Sequence, residues 1–244
     1  MKSKKNLSMF SFFTLLTLIV LFLLGTWQIE RRSQKHQLID QVEYMTNLPA
    51  IDFLLDSSLN NFNLSDWKYR IVKVNGVFDF TKELYVFSNL SDPKGKFRGA
   101  GYWIFNPFLI ENGDYIFINR GFVPQSLINS YKERDRDKDK QIIIGIEGYI
   151  KGFEKQNLFT PDSDFDENIL YSVNARDMKN IFNIENALPF VIDIYSSEYG
   201  DLPQAGETRL KFNDNHLSYI ITWYGLAIVL IVVYFVYRKR NNIL

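Results

Sequence analysis

Residues 7–29 read LSMFSFFTLLTLIVLFLLGTWQI, and residues 217–237 read LSYIITWYGLAIVLIVVYFVY. Neither stretch contains a charged residue. A helix of roughly 20 apolar residues spans the ~30 Å hydrocarbon core of a bilayer. Both stretches meet that length, and nothing between them does. They predict a membrane protein with two transmembrane helices, residues 7–29 and 217–237. Residues 1–6 and 238–244 are then short tails, and residues 30–216 form a domain held on one side of the membrane. A cleaved signal would show a shorter apolar run and a small-residue cleavage site. Here the run passes directly into Gly25-Thr26-Trp27-Gln28-Ile29, with Trp27 read as an interfacial anchor of a retained helix.

Charge sets the orientation. Lys2, Lys4 and Lys5 precede the first span, Arg238, Lys239 and Arg240 follow the second, and neither end carries an acidic residue. The positive-inside rule places both ends in the cytoplasm, or in the matrix of a mitochondrion, and two spans require both ends on one side. Arg31, Arg32 and Lys35 argue locally for the reverse and are outvoted by the two ends.

With those six terminal charges set aside, 22 basic residues face all 28 acidic ones, a net charge of −6. An acidic domain is a poor nucleic-acid partner, since phosphate recognition needs a basic footprint. The chain has no cysteine, which excludes disulfides, thiolate metal sites, cysteine catalysis and covalent c-type haem attachment.

Between the spans, residues 30–46 continue as a polar, helix-compatible stretch until Leu48-Pro49, and a loop rich in Asn, Ser and Asp follows to Ser65. Strand signals then dominate: alternation over 69–80 with Gly76 as a bulge or close approach, a short strand at 84–87, and strands at 141–151, 170–173 and 189–195. The segments 101–110 and 115–119 flank Glu111-Asn112-Gly113-Asp114, a hairpin turn. Residues 125–131 and 174–184 read as helices, and the dense mixed charges of 132–140 read as a solvated loop. The pattern predicts a mainly β (α+β), antiparallel, barrel- or sandwich-like domain on the extracytoplasmic side.

Only two histidines occur, His36 beyond the first span and His216 at the mouth of the second. His216, Tyr219 and Trp223 stand at i, i+3 and i+7, so a helix gathers them on one face. One reading is an aromatic belt with an interfacial histidine. The other is a ligand set for a flat, membrane-soluble cofactor such as haem, whose iron takes an imidazole. His36 reads as a solvated helix residue, with a second axial ligand as the alternative. An exported hydrolase is the rival class, although a Ser- or Cys-type triad would need a histidine away from the membrane edges. The run Asp162–Glu167 resembles a calcium loop superficially but lacks the central glycine and the terminal glutamate in place.

Three segments together resemble the Surfeit locus protein 1 family (the Shy group) of cytochrome c oxidase assembly factors. The first is Gly25-Thr26-Trp27-Gln28-Ile29-Glu30-Arg31 followed by Lys35. The second comprises Gly101-Tyr102-Trp103, Asn106-Pro107-Phe108 and Ile118-Asn119-Arg120-Gly121-Phe122-Val123-Pro124. The third is Asn215-His216-Leu217-Ser218-Tyr219-Ile220-Ile221-Thr222-Trp223. Gln34, Phe122 and Ser218 depart from the family's usual residues. The resemblance implies a non-enzymatic protein that holds or delivers haem a to the oxidase's catalytic subunit, in contact with the haem a synthesis machinery. It also makes His216 the contact to haem iron. Arg120 and Gly121 are expected to be structural. The N-terminal residues do not form an Arg- and Ser-rich amphipathic leader, which favours a bacterial plasma membrane over a mitochondrial inner membrane.

Overall fold

The alternation read over 69–80 becomes a strand whose inward residues close a barrel. The computed structural model describes residues 2–53, 62–135, 141–196, 201–210 and 214–240. Its elements run α1 (Lys2–Asn47), β1 (Ile51–Asp52), α2 (Leu64–Trp67), β2 (Ile71–Asp79), β3 (Leu84–Leu90), β4 (Gly99–Ile110), β5 (Tyr115–Pro124), α3 (Ile128–Asp135), β6 (Gln141–Lys151), β7 (Ile169–Leu170), α4 (Ala175–Phe182), β8 (Ala187–Ile194) and α5 (His216–Arg240). They fall into two units, residues 1–41 with 211–244, and residues 42–210.

In the second unit, β2 pairs with β6, β6 with β8, β8 with β5 and β5 with β4. β4 returns to β2 through Gly76–Phe78 against Phe108–Ile110, closing five strands into a barrel. β3 continues the sheet beyond β4, and β7 lies beyond β3. Closure depends on Gly76, because a Cβ there would lie 2.3 Å from the carbonyl oxygen of Leu109. The glycine that interrupts the alternation is therefore the point where two backbones meet.

Period two sorts the side chains. Val72, Val74, Phe78, Phe108, Ile110, Ile116, Ile118, Ile146, Ile150, Phe190 and Ile192 fill the barrel. The outward Phe105, Phe117 and Val191 meet Leu84 and Val86 of β3 and Met178 and Phe182 of α4 in a second core. The sheet is thus apolar on both faces there, which is why β5 reads as a nearly continuous apolar run. At roughly 1.5–3 kcal/mol per fully buried large side chain, these two cores dominate the unit's stability. Local signals set the ends of α4. The Asn174 side chain accepts from the Asp177 N–H at 2.9 Å, and Asn183 closes the helix at φ 52°.

The expected β-rich, barrel-like domain is present, with corrections in detail. The sheet is mixed: β5 and β8 run parallel, as do β3 with β7 and β1 with β2. Periodicity reports which face is buried and is silent on strand direction. The charged run 132–140 begins as helix, since α3 extends to Asp135, and 136–140 lie outside the described residues. β7 is two residues long.

The first unit contains the two helices long and apolar enough to cross a membrane. α1 runs unbroken through the polar stretch 30–46 and stops at Asn47, where Pro49 forbids continuation. The residues flanking the apolar spans, 30–41 and 214–216, stay with these helices.

Candidate cofactor site on the terminal helices

Within residues 9–41 of α1 the buried residues are Thr14, Leu21, Gly25 and Gln28, spaced 7, 4 and 3 apart. That spacing is a helix-packing seam. It faces α5, where Ala227 is buried and His216, Ile220, Trp223, Tyr224 and Tyr234 are half-buried. Small residues let the helices approach, as lipid-embedded helices require. A Cβ at Gly25 would lie 2.8 Å from the Tyr224 ring. Lower in the seam, the Ser11 and Tyr234 hydroxyls are 2.9 Å apart, and the Phe10 and Tyr234 rings stack.

At the mouth of this seam the first and third sequence motifs meet. His216 Nδ1 lies 2.9 Å from the Gln28 side-chain oxygen. An amide oxygen can only accept, so Nδ1 is the donor here, and in the neutral imidazole the lone pair is then on Nε2. A second partner that fixes the tautomer in this way is the usual support of a metal-binding histidine. Asp214 organises the rest. One carboxylate oxygen accepts from the His216 backbone N–H at 3.0 Å, and the other accepts from Arg32 Nε at 3.2 Å and lies 3.0 Å from His36 Nε2.

The His216 backbone N–H, with help from Arg32 and His36, holds the Asp214 carboxyl below its ordinary value. A depressed carboxylate contributes stability above its unfolded pKa and loses it as pH falls through the folded one. The contact is therefore intact at neutral pH and is lost as pH falls below the ordinary carboxylate range.

A cavity of about 470 Å³ opens beside this cluster, lined by Ile29, Arg32, Ser33 and His36 of α1 and Leu217 and Ile220 of α5. Its wall is half apolar and half cationic or polar. Trp223 stands two turns below His216 with its indole N–H buried and without a partner among the described residues. At roughly 100° per residue, His216 and Trp223 are within about 20° of each other around the helix, whereas Tyr219 is about 60° away. Accordingly Tyr219 is 52% exposed and turned from the seam. The structure brings His216 and Trp223 to one side and leaves Tyr219 out. His36, read as solvated, is half-exposed but engaged by Asp214.

The chemistry of these residues is compatible with a haem: an imidazole whose Nε2 has no partner among the described residues, with apolar side chains and a cation lining the cavity next to it, although His216 itself is not one of the lining residues. Sequence reading did not single out Gln28, Arg32 and Asp214, which the structure joins to His216 through hydrogen bonds. A glutamine inside an apolar span was the available signal, since polar groups at membrane depth are costly and mark sites.

The second motif builds no such site. Arg120 is 2% exposed; its Nη1 donates to Glu83 at 2.8 Å, Asn106 at 3.1 Å and Tyr131 at 3.2 Å, and its guanidinium covers the Phe80 ring at 4.6 Å. Asn119 donates to the buried Asp193 at 3.1 Å, which also accepts from Lys151 at 2.9 Å and Thr208 at 2.7 Å. Burial lowers the Lys151 pKa, but Asp193 outweighs it and the net shift is upward. Both networks tie strands together.

The model of the SURF1 family matches residues 15–228. Surfeit locus protein 1 of Gallus gallus is 33% identical over 225 residues, covering 87% of this chain and 70% of the relative. The Homo sapiens protein of that name is 31% identical, covering 87% and 72%. A SURF1-like protein of Rickettsia conorii is 27% identical, covering 94% and 91%.

Proposed function

This chain belongs to the SURF1 family, and from that premise we propose that it is a non-enzymatic assembly factor of cytochrome c oxidase that holds haem a at His216. The observation that carries the reading is the bond between His216 Nδ1 and Gln28, which joins two sequence motifs 188 residues apart. Bound haem a would supply an iron that accepts an imidazole nitrogen. The chain's own residues do the rest. Gln28 keeps the Nε2 lone pair available, Asp214 fixes the start of α5 by its bond to the His216 N–H, and Arg32 offers positive charge at the rim. Ile29, Leu217 and Ile220 keep water from the apolar side. The partners in this reading are the oxidase's catalytic subunit and the machinery that makes haem a.

Cells lacking the protein should lose oxidase activity and the haem a of that enzyme while other respiratory complexes persist. Full assembly in the deletion strain, with a polymer or peptide accumulating outside the membrane, would transfer the assignment to the hydrolytic class. Among the described residues, no contact favours that class. Asp193 is occupied as above, and Glu207 accepts from the backbone of Lys94 and Gly95 and from Gln204.

The basic ends support a reading with both termini in the cytoplasm of a bacterium and the barrel outside its plasma membrane. A reporter active only outside the cytoplasm should work when inserted near Asp137 and fail when fused after Leu244. The opposite pattern would invert the orientation.

A further inference from the structure

Leu158 is 100% exposed and Phe159 93% exposed, in the connection between β6 and β7. Large apolar side chains occur singly on many surfaces, but two adjacent ones with no cover are unusual outside an interaction site. Their backbone is ordered by a closed turn. The Thr160 N–H donates to the Asn157 carbonyl at 3.0 Å, the Asn157 N–H donates to Thr160 Oγ1 at 3.2 Å, and the Phe159 N–H donates to Asn157 Oδ1 at 2.9 Å. Leu158 and Phe159 therefore occupy the two corner positions, where Pro, Asp, Asn and Gly are the residues that turn formation favours. Folding alone gives no reason for leucine and phenylalanine there.

Both limbs of the loop are anchored to one side chain. Asp177 of α4 accepts from Gln156 Nε2 at 3.3 Å on one limb and from Ser163 Oγ at 2.6 Å on the other, and Asn174 Nδ2 completes the set at 3.0 Å. The buried Asp177 thus carries a pre-shaped projection with an apolar tip. Pre-shaping lowers the ordering cost of association.

The flanks decide what the tip fits. Between Glu154 and Glu167 one lysine, Lys155, faces five acidic residues: Glu154, Asp162, Asp164, Asp166 and Glu167. An anionic lipid surface attracts basic segments and repels this one. A second copy of a domain carrying net charge −6 is disfavoured for the same reason. We propose that Leu158 and Phe159 form a docking knob for a different protein, one offering an apolar pocket with a Lys- and Arg-rich rim. The proposal is independent of haem binding at His216.

Photo-cross-linking in intact membranes tests it, with p-benzoylphenylalanine replacing Phe159 in the full chain. The expected adduct joins another protein, and peptide mapping places it in an apolar segment flanked by Lys and Arg. Asp162→Lys with Asp166→Lys should lower the adduct yield on the order of tenfold by removing charge complementarity. Leu158→Ser should lower it with no change in thermal midpoint, because that side chain touches nothing. An adduct to lipid, an adduct to a second copy of this chain, no adduct, or a yield indifferent to charge reversal would each overturn the proposal.

Discussion

His216→Ala is expected to abolish haem binding while the protein still inserts in the membrane. The substitution removes the imidazole and leaves the apolar length of α5 unchanged, so insertion and folding should survive. Gln28→Leu should give a graded result. The leucine keeps the span apolar but no longer fixes the imidazole tautomer, and losing such an outer partner costs roughly 10–100-fold in affinity. His36→Ala is the control, since its Nε2 is already engaged by Asp214. It should leave the spectrum nearly unchanged; if His36 is an iron ligand, its removal should change the spin state. The measurement is the absorption spectrum of each purified variant from cells making haem a. Full occupancy and an unaltered spectrum in correctly inserted His216→Ala would sink the site, and the aromatic-belt reading of that helix face would replace it.

Gly121→Ala should be the most damaging single-methyl change in the barrel unit. Gly121 stands at φ +135°, and a Cβ there would lie 2.4 Å from the Gln204 carbonyl oxygen and 2.7 Å from the Ala205 nitrogen. Both are backbone atoms held by the paired bonds of 2.8 Å between Phe122 and Gln204, so neither can swing aside. Backbone strain of this kind costs on the order of 1–3 kcal/mol, before the clash is added. At roughly 3 °C per kcal/mol for a domain of this size, a fall in melting temperature of about 10 °C is expected. Gly99→Ala isolates the two causes. Gly99 is also left-handed, at φ +94°, but nothing lies within 4 Å of its Cβ position, so it should show the strain without the clash. Equal melting temperatures for the two variants would mean that the Gln204 segment moves freely.

The contrast between those glycines shows where sequence reading stops. Glycine at 76, 113 and 121 announces a backbone constraint, yet only the folded chain says which. At Gly113 it is a positive φ in the hairpin turn, at Gly76 a contact with Leu109, and at Gly121 both a positive φ and a contact with Gln204. Asn119-Arg120-Gly121 was legible as a motif, but its partners Asp193 and Glu83 lie 74 and 37 residues away in the chain. The turn at Leu158-Phe159 escaped notice because exposure of a short apolar pair cannot be read from composition.

The amino-acid sequence by itself determined the two apolar helices, the charge bias of their ends, the β-rich middle, and His216 as the residue to watch. Each of these follows from properties carried within a few neighbouring residues: apolar length, side-chain period, charge, and the scarcity of histidine. Tertiary structure alone decided that β5 and β8 run parallel, that β2 and β4 close the barrel, that Tyr219 turns away from the helix seam, and that Gln28, Arg32 and Asp214 come together with His216. Those facts depend on which distant segments meet. Burial and hydrogen bonding reward such meetings only after the chain has come together, so no local pattern records them.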